Sequence, residues 1–196
     1  MMEEVLIGAG GFAREIKAHM NKPEIFCFVD DEYYTNEPYL RKLSEFNPLT
    51  QKALVAVGDP SDRKAIVQKL PENTKFFSFI HPSVQILDNN IEIGDGSIIC
   101  AGSILTTNIK IGKHAHLNLQ TTIGHDCVIG DYFTTSPGVK ISGNCNIGNF
   151  VYIGTNTSVK QKININDFVT IGLNAGVVKD ILESGVYVGV PAKKIK

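Results

Sequence analysis

Near the start of the chain, Gly8-x-Gly10-x-x-Ala13 follows the apolar run Val5-Leu6-Ile7 and opens a helix-like stretch, and Asp30 stands about 20 residues on. That spacing matches the dinucleotide fingerprint: glycines for a tight turn and close backbone approach, and a distant acid for a ribose. The backbone N–H groups at the helix N-terminus would form an anion site suited to a diphosphate. The same residues are open to three readings: a nucleotide-diphosphate site, intact NAD binding, or a structural turn. Only about half of a doubly wound fold is present before residue 80, with no second mononucleotide half. The residues therefore favour a diphosphate site over NAD.

The elements that must position this loop alternate. Glu4–Ile7 reads as a strand, Phe12–Met20 as a helix, Ile25–Val29 as a strand ending at Asp30-Asp31. Ala53–Val57 reads as a strand ending at the Gly58 turn and leading into a helix to about Leu70; Lys75–Ile80 is a last strand before His81-Pro82. Continuous apolar strands alternating with helices predict a small parallel sheet, a Rossmann-like α/β domain over residues 1–80.

Beyond residue 80 the grammar changes. Stepping six residues from Ile93 gives Ile99, Leu105, Ile111, Leu117, Ile123 and so on to Val177, with only Thr135 not aliphatic. Small or β-branched residues recur four positions later, and glycine follows at Gly94, Gly112, Gly130 and Gly148. A six-residue unit suits one short strand plus a turn, and three units make an 18-residue triangular coil whose strands stack about 4.7–4.9 Å apart. Residues 81–196 are thus expected to form a parallel β-helix with a C-terminal tail, its repeat running from about 82 to 179. Each inward aliphatic contributes roughly 1.5–3 kcal/mol on burial. Cys127 and Cys145, 18 apart at the inward small position, are expected to be buried reduced thiols in adjacent coils. His114 and His116 could suggest a metal, but one coil along stand Tyr132 and Thr134, so no matching ligand stacks there and no metal is expected.

Both halves carry a resemblance. Gly8-Ala9-Gly10-Gly11, then Ile123-Gly124-His125-Asp126-Cys127-Val128-Ile129-Gly130-Asp131, Ser136-Pro137-Gly138-Val139 and Gly189-Val190-Pro191-Ala192-Lys193 resemble the sialic-acid O-acetyltransferase-like branch of the hexapeptide-repeat acyltransferases. That branch includes N-acetyltransferases of nucleotide-linked 4-amino-6-deoxy sugars, such as the UDP-N-acetylbacillosamine, perosamine and viosamine enzymes. The resemblance implies a left-handed β-helix, against the usual right-handed crossover rule. It implies His125 as general base with Asp126 raising its basicity, and a nucleotide sugar held by the Gly8, Gly10 and Gly11 loop, the Asp30-Asp31 pair and Gly58. Acetyl-CoA would lie along the helix of a homotrimer, touching Thr155, Leu173 and the Gly189-Val190-Pro191-Ala192-Lys193 stretch. Some relatives place a second histidine nine residues after the base to contact acetyl-CoA; Thr134 stands there.

The chemistry fits those residues. Histidine's free pKa, about 6.5, suits a base acting near neutral pH. His125 occupies the third hexad position, away from the inward ones. The oxyanion donor is expected to be a backbone N–H, and Gly143, one coil after His125, is the candidate. Asn118, a hexad earlier, could orient substrate or serve as a polar corner. The alternatives are sialic acid O-acetylation and a non-catalytic nucleotide-sugar-binding trimer.

Composition sets outer limits. Nineteen Lys and Arg against 20 Asp and Glu in 196 residues argue against coating nucleic acid. No apolar stretch approaches the roughly 20 residues of a membrane span, and Met1-Met2-Glu3-Glu4 lacks the basic region of a secretory signal. The four cysteines form no C-x-x-C pair, and the expected setting is the cytoplasm.

Overall fold

The computed structural model describes residues 2–196, in two compact units that meet at Phe79 and Ile80. The first unit is a five-stranded parallel sheet. Its strands are β1 (Glu3–Ile7), β2 (Cys27–Val29), β3 (Leu40–Lys42), β4 (Gln51–Val55) and β5 (Lys75–Phe76), in the order β3-β2-β1-β4-β5. From β1 the chain first builds outward to β3, then returns to lay β4 on the other side. The order therefore reverses between β1 and β4, where a crevice opens at the carboxyl ends of the strands. Val5, Ile7, Phe28, Phe46, Ala53, Val55 and Leu70 form a buried cluster of this unit.

Two helices follow the sheet's logic. Helix α1 (Gly11–His19) starts at Gly10 with no side-chain cap. Helix α2 (Pro60–Lys69) is closed instead: the Asp59 carboxylate accepts from Ser61 N at 2.8 Å and Asp62 N at 3.0 Å, with Pro60 at the first turn.

The sheet departs from the sequence expectation in four places, the first being β2, which begins at Cys27 rather than Ile25. Strand β3 was not visible in the sequence, because Leu40-Arg41-Lys42 offers a single apolar residue. Strand β4 begins and ends two residues earlier than its apolar run. The expected Lys75–Ile80 strand is two strands: β5 ends the first sheet, and Phe79–Ile80 opens a sheet of the coil.

The second unit is built almost wholly from two-residue strands in three sheets. One face stacks His116–Leu117, Thr134–Thr135, Tyr152–Ile153 and Val169–Ile171; the second stacks Ile104–Leu105, Thr122–Ile123, Lys140–Ile141 and Ser158–Val159. The third stacks Lys110–Ile111, Val128–Ile129, Asn146–Ile147 and Asn164–Ile165. Within these stacks each strand pairs in parallel with the one 18 residues on, so the hexad aliphatics form continuous inward columns, nearly all below 5% exposed. Thr135 fits this interior because its hydroxyl pairs with that of Thr121 at 2.7 Å and accepts from Asn118 N at 3.0 Å. Cys127 and Cys145 are buried and free, and their thiols donate to the Ser142 and Lys160 carbonyls, each at 3.3 Å.

Each corner turns through the left-handed region. One column of corners comprises Gln120, Asn156 and Asn174, with Gly102 and Gly138; the next Asn108, Asp126, Asn144 and Lys162; the third His114, Tyr132, Phe150 and Phe168. Side-chain-bearing residues pay roughly 1–2 kcal/mol each for that conformation. Part of it is returned by ladders along the corner. The rings of His114, Tyr132, Phe150 and Phe168 stack at centroid spacings of 5.1, 5.1 and 4.7 Å. The chain ends with Gly185–Val188, which adds in parallel to Val169–Ile171, and Lys193–Lys194, which folds back antiparallel.

Candidate active site

His125 stands at the corner that follows the second face, and it is pinned from three sides. Its Nδ1 meets Asp126 Oδ2 at 2.7 Å, its carbonyl accepts from Asn144 N at 2.7 Å, and its ring lies flat on Gly143. A Cβ on Gly143 would fall 2.5 Å from His125 Nε2, so glycine is required for the ring to occupy that place. Asp126 adopts φ +59°, the turn that carries its carboxylate back to its neighbour's ring. Asn108, one coil before, donates from Nδ2 to Asp126 Oδ1 at 2.6 Å. That bond and the His125 contact hold the Asp126 carboxyl below the usual carboxylate range. An ionised carboxylate against Nδ1 favours the neutral tautomer with its proton there, which leaves Nε2 as the acceptor.

The His125 side chain is 55% exposed, so its ring is accessible to solvent. Beside it, Ser142 N and Asn144 N are both engaged by backbone carbonyls, whereas the Gly143 N–H has no acceptor among the described residues. A ring nitrogen that can accept a proton and an N–H without an acceptor thus lie together, the N–H on a residue buried under the ring.

At the other edge of the second face a different group assembles. Thr155 and Leu173 are exposed on successive corners, joined by Asn174 N to Thr155 O at 2.8 Å. The tail continues that column, with Gly176 N donating to Gly189 O at 3.0 Å and Ala192 N to Gly176 O at 2.8 Å. Val190, Pro191 and Lys193 are exposed with it. Asn118 also lies at this edge, away from His125, and its Oδ1 caps Leu119 N at 2.7 Å, the polar-corner role. Thr134, which stands where some relatives place the acetyl-CoA histidine, is in the first face's stack. Nine residues are half of an 18-residue coil, so it lies on a different face from His125 of its own chain, and it is 5% exposed.

In the first unit a cavity of about 340 Å³ opens at the carboxyl ends of β1 and β2 and beside Val57. Gly8, Ala9, Gly10 and Asp30 line it together with an apolar wall that includes Phe28, Leu43, Val57 and Ile66. Gly8 has φ +109°, which a side chain would strain, and nothing lies within 4 Å of where a Gly10 side chain would begin. Asp30 faces the cavity and pairs with Lys69 Nζ at 2.7 Å. The expected Asp30-Asp31 pair is divided: Asp31 accepts from Ser44 N at 3.2 Å and Ser44 Oγ at 2.7 Å and is not part of the lining. Gly11 begins helix α1, and the Gly58 carbonyl accepts from the buried Arg63 guanidinium at 3.0 Å; neither lines the cavity.

Sequence reasoning missed the apolar wall, whose residues lie on four separate segments, and missed Asn108 and Asn144. The last two could have been found by stepping 18 residues either way from Asp126. Among the described residues no group of three or more His, Cys, Asp or Glu could hold a metal, and His114 stacks on Tyr132.

These features have counterparts among known proteins. Residues 5–70 match the PglD N-terminal domain. No curated protein sequence matches the chain. WeeI from Acinetobacter baumannii AYE is 28% identical over 100% of both chains, with a TM-score of 0.90. The acetyltransferase domain of PglB from Neisseria gonorrhoeae FA1090, in complex with acetyl coenzyme A, is 27% identical over 98% of both chains, with a TM-score of 0.87. PerB from Caulobacter crescentus, in complex with CoA and GDP-perosamine, is 23% identical over 100% of this chain and 98% of its own, also at 0.87, a likeness of fold. The triangular coil is thus the left-handed parallel β-helix of the acetyltransferases. Over its whole length the chain is thus similar to the PglB acetyltransferase domain and to WeeI, and its first unit matches a PglD N-terminal domain.

Proposed function

We propose that this acyltransferase moves the acetyl group of acetyl-CoA to the amine of a nucleotide-linked 4-amino-4,6-dideoxy sugar. The observation that carries the reading is the His125 ring, bound through Nδ1 to Asp126 and lying with Nε2 over Gly143. The neutral amine attacks the thioester carbonyl carbon, and the oxyanion formed there is met by the Gly143 N–H. His125 Nε2 takes the proton from the attacking nitrogen, the C–S bond breaks, and the proton passes to the departing CoA sulfur. Asp126 supports the imidazolium formed in between.

The open N-terminus of α1 takes the diphosphate, and the apolar cavity beside Asp30 takes the nucleoside. Acetyl-CoA follows the Thr155, Leu173 and Val190 column, with Lys193 near its phosphates. The active species is a homotrimer, in which a neighbouring chain's Thr134 completes the acetyl-CoA site. Such a protein acts in the cytoplasm in surface-glycan synthesis, where acetyl-CoA and sugar nucleotides are made.

The test is a thiol-release assay with acetyl-CoA and a panel of UDP-, dTDP- and GDP-linked 4-amino sugars, with free sialic acid as the competing acceptor. We expect release with a nucleotide-linked amine alone, and for His125→Ala a kcat lower by at least about 10²-fold at unchanged acetyl-CoA KM. Release with sialic acid and with no amino sugar would overturn the proposal.

A further inference from the structure

The corner that carries His125 is one column of side chains running through four successive coils. At its base the Asp88 carboxylate accepts from Thr107 Oγ1 and from Asn108 N, the latter at 3.1 Å. Those bonds fix the Thr107-Asn108 turn, whose φ of +51° at Asn108 aims the amide up the column. Asn108 Nδ2 then donates to Asp126 Oδ1 at 2.6 Å, and Asp126 Oδ2 holds His125 Nδ1 at 2.7 Å. In the next coil the Asn144 amide nitrogen lies 3.4 Å from the same Nδ1, too long to compete with the carboxylate.

We propose that Asn108 is a positioning residue for acetyl transfer, acting on His125 only through Asp126. This inference rests on the reading of His125 as the base. The Asp126 side chain is 45% exposed and has two oxygens to satisfy. Without the Asn108 amide, nothing else in the column holds Oδ1, and the carboxylate is free to turn toward water and leave Nδ1. The imidazole would then sample both tautomers and swing from Gly143. Orientation of a reacting group is worth orders of magnitude in rate, and small displacements are costly. Asn108 is 18 residues from Asp126 and does not itself touch the ring, so its effect must pass through the carboxylate.

A double-mutant cycle with Asp126→Asn tests this. Asn108→Gly keeps a residue that favours the left-handed turn while deleting the amide. Asn108→Asp keeps the turn and faces the Asp126 carboxylate with a second one, which separates loss of the donor from loss of bulk. Both variants are expected to lower kcat about ten- to a hundredfold, with the KM values for acetyl-CoA and the sugar nucleotide unchanged and melting temperatures close to the parent's. In the Asp126→Asn background, Asn108→Gly is expected to cost no more than about twofold. Full additivity of the two losses, or a change in KM with kcat preserved, would overturn the inference and leave the His125 mechanism standing. Undiminished kcat in His125→Ala would remove both. If Asn108→Gly unfolds the coil, the Asn108→Asp arm decides alone: normal kcat in that variant overturns the inference.

Discussion

At the scale of single residues, Gly143 and His125 are two halves of one fit. The backbone at Gly143 is outside the left-handed region, so alanine suits it conformationally, yet the added methyl would lie 2.5 Å from Nε2. The side chain in its way is half exposed and can give way toward solvent by leaving Asp126. Gly143→Ala should therefore melt within a few degrees of the parent while kcat falls about 10²-fold, read by thermal denaturation beside the thiol assay. A variant that loses fold and rate together would mean the ring is not mobile. Titration adds a second expectation. Hydrogen bonds from Ser44, Thr107 and Asn108 hold the carboxyls of Asp31, Asp88 and Asp126 below their ordinary range. Groups depressed on folding contribute stability above their unfolded pKa, about 3.9, and lose it as pH falls through the folded value. The melting temperature should be insensitive to these groups from pH 7 to 5 and drop below about pH 4. A level curve down to pH 3 would count against those bonds.

At the scale of elements, loops and corners do the work that strands position. Helix α1 starts uncapped above an open space, and that is what makes Gly10 informative. A Gly10→Val side chain has room to fold but would fill the diphosphate's approach. Contacts remote from the reacting amine are made about equally in ground and transition states. We therefore expect the sugar-nucleotide KM to rise, by up to about a hundredfold, with kcat and the acetyl-CoA KM near normal in steady-state kinetics. Loss of acetyl-CoA binding instead would place CoA at this loop. The elements were unequally legible in the sequence. The inward columns announce themselves because burial demands an aliphatic every sixth residue, whatever else changes. The corners hide: His114, Tyr132 and Phe150 stand at left-handed positions that sequence reasoning reserves for Gly, Asn and Asp, and only ring stacking along the column explains them. Strand β3 hides for the opposite reason, being an edge strand with one buried residue.

At the scale of the whole molecule, the sequence distinguished two grammars, and the structure has two units. The His125-Asp126 dyad was legible because both residues are adjacent in sequence. The column beneath it was not, since its members are neighbours only once the coil is wound. Assembly is the expectation that belongs here. Analytical ultracentrifugation should show three copies of the 21.4 kDa chain sedimenting together. A fully active monomer would contradict the trimer and with it the role given to Thr134.

Because the paired strands between Glu92 and Val177 answer to partners 18 residues away, this stretch behaves as a one-dimensional lattice with a fixed translation. A deletion or insertion of one full period shortens or lengthens the stack by a rung and leaves the columns in register. A residue added within a strand shears the inward column, whereas a corner can take one up, as between Ile86 and Glu92, whose link is one residue longer than that between Leu105 and Lys110. Whole coils are therefore the natural unit of growth here, and an engineer lengthening the stack should add eighteen residues at a time.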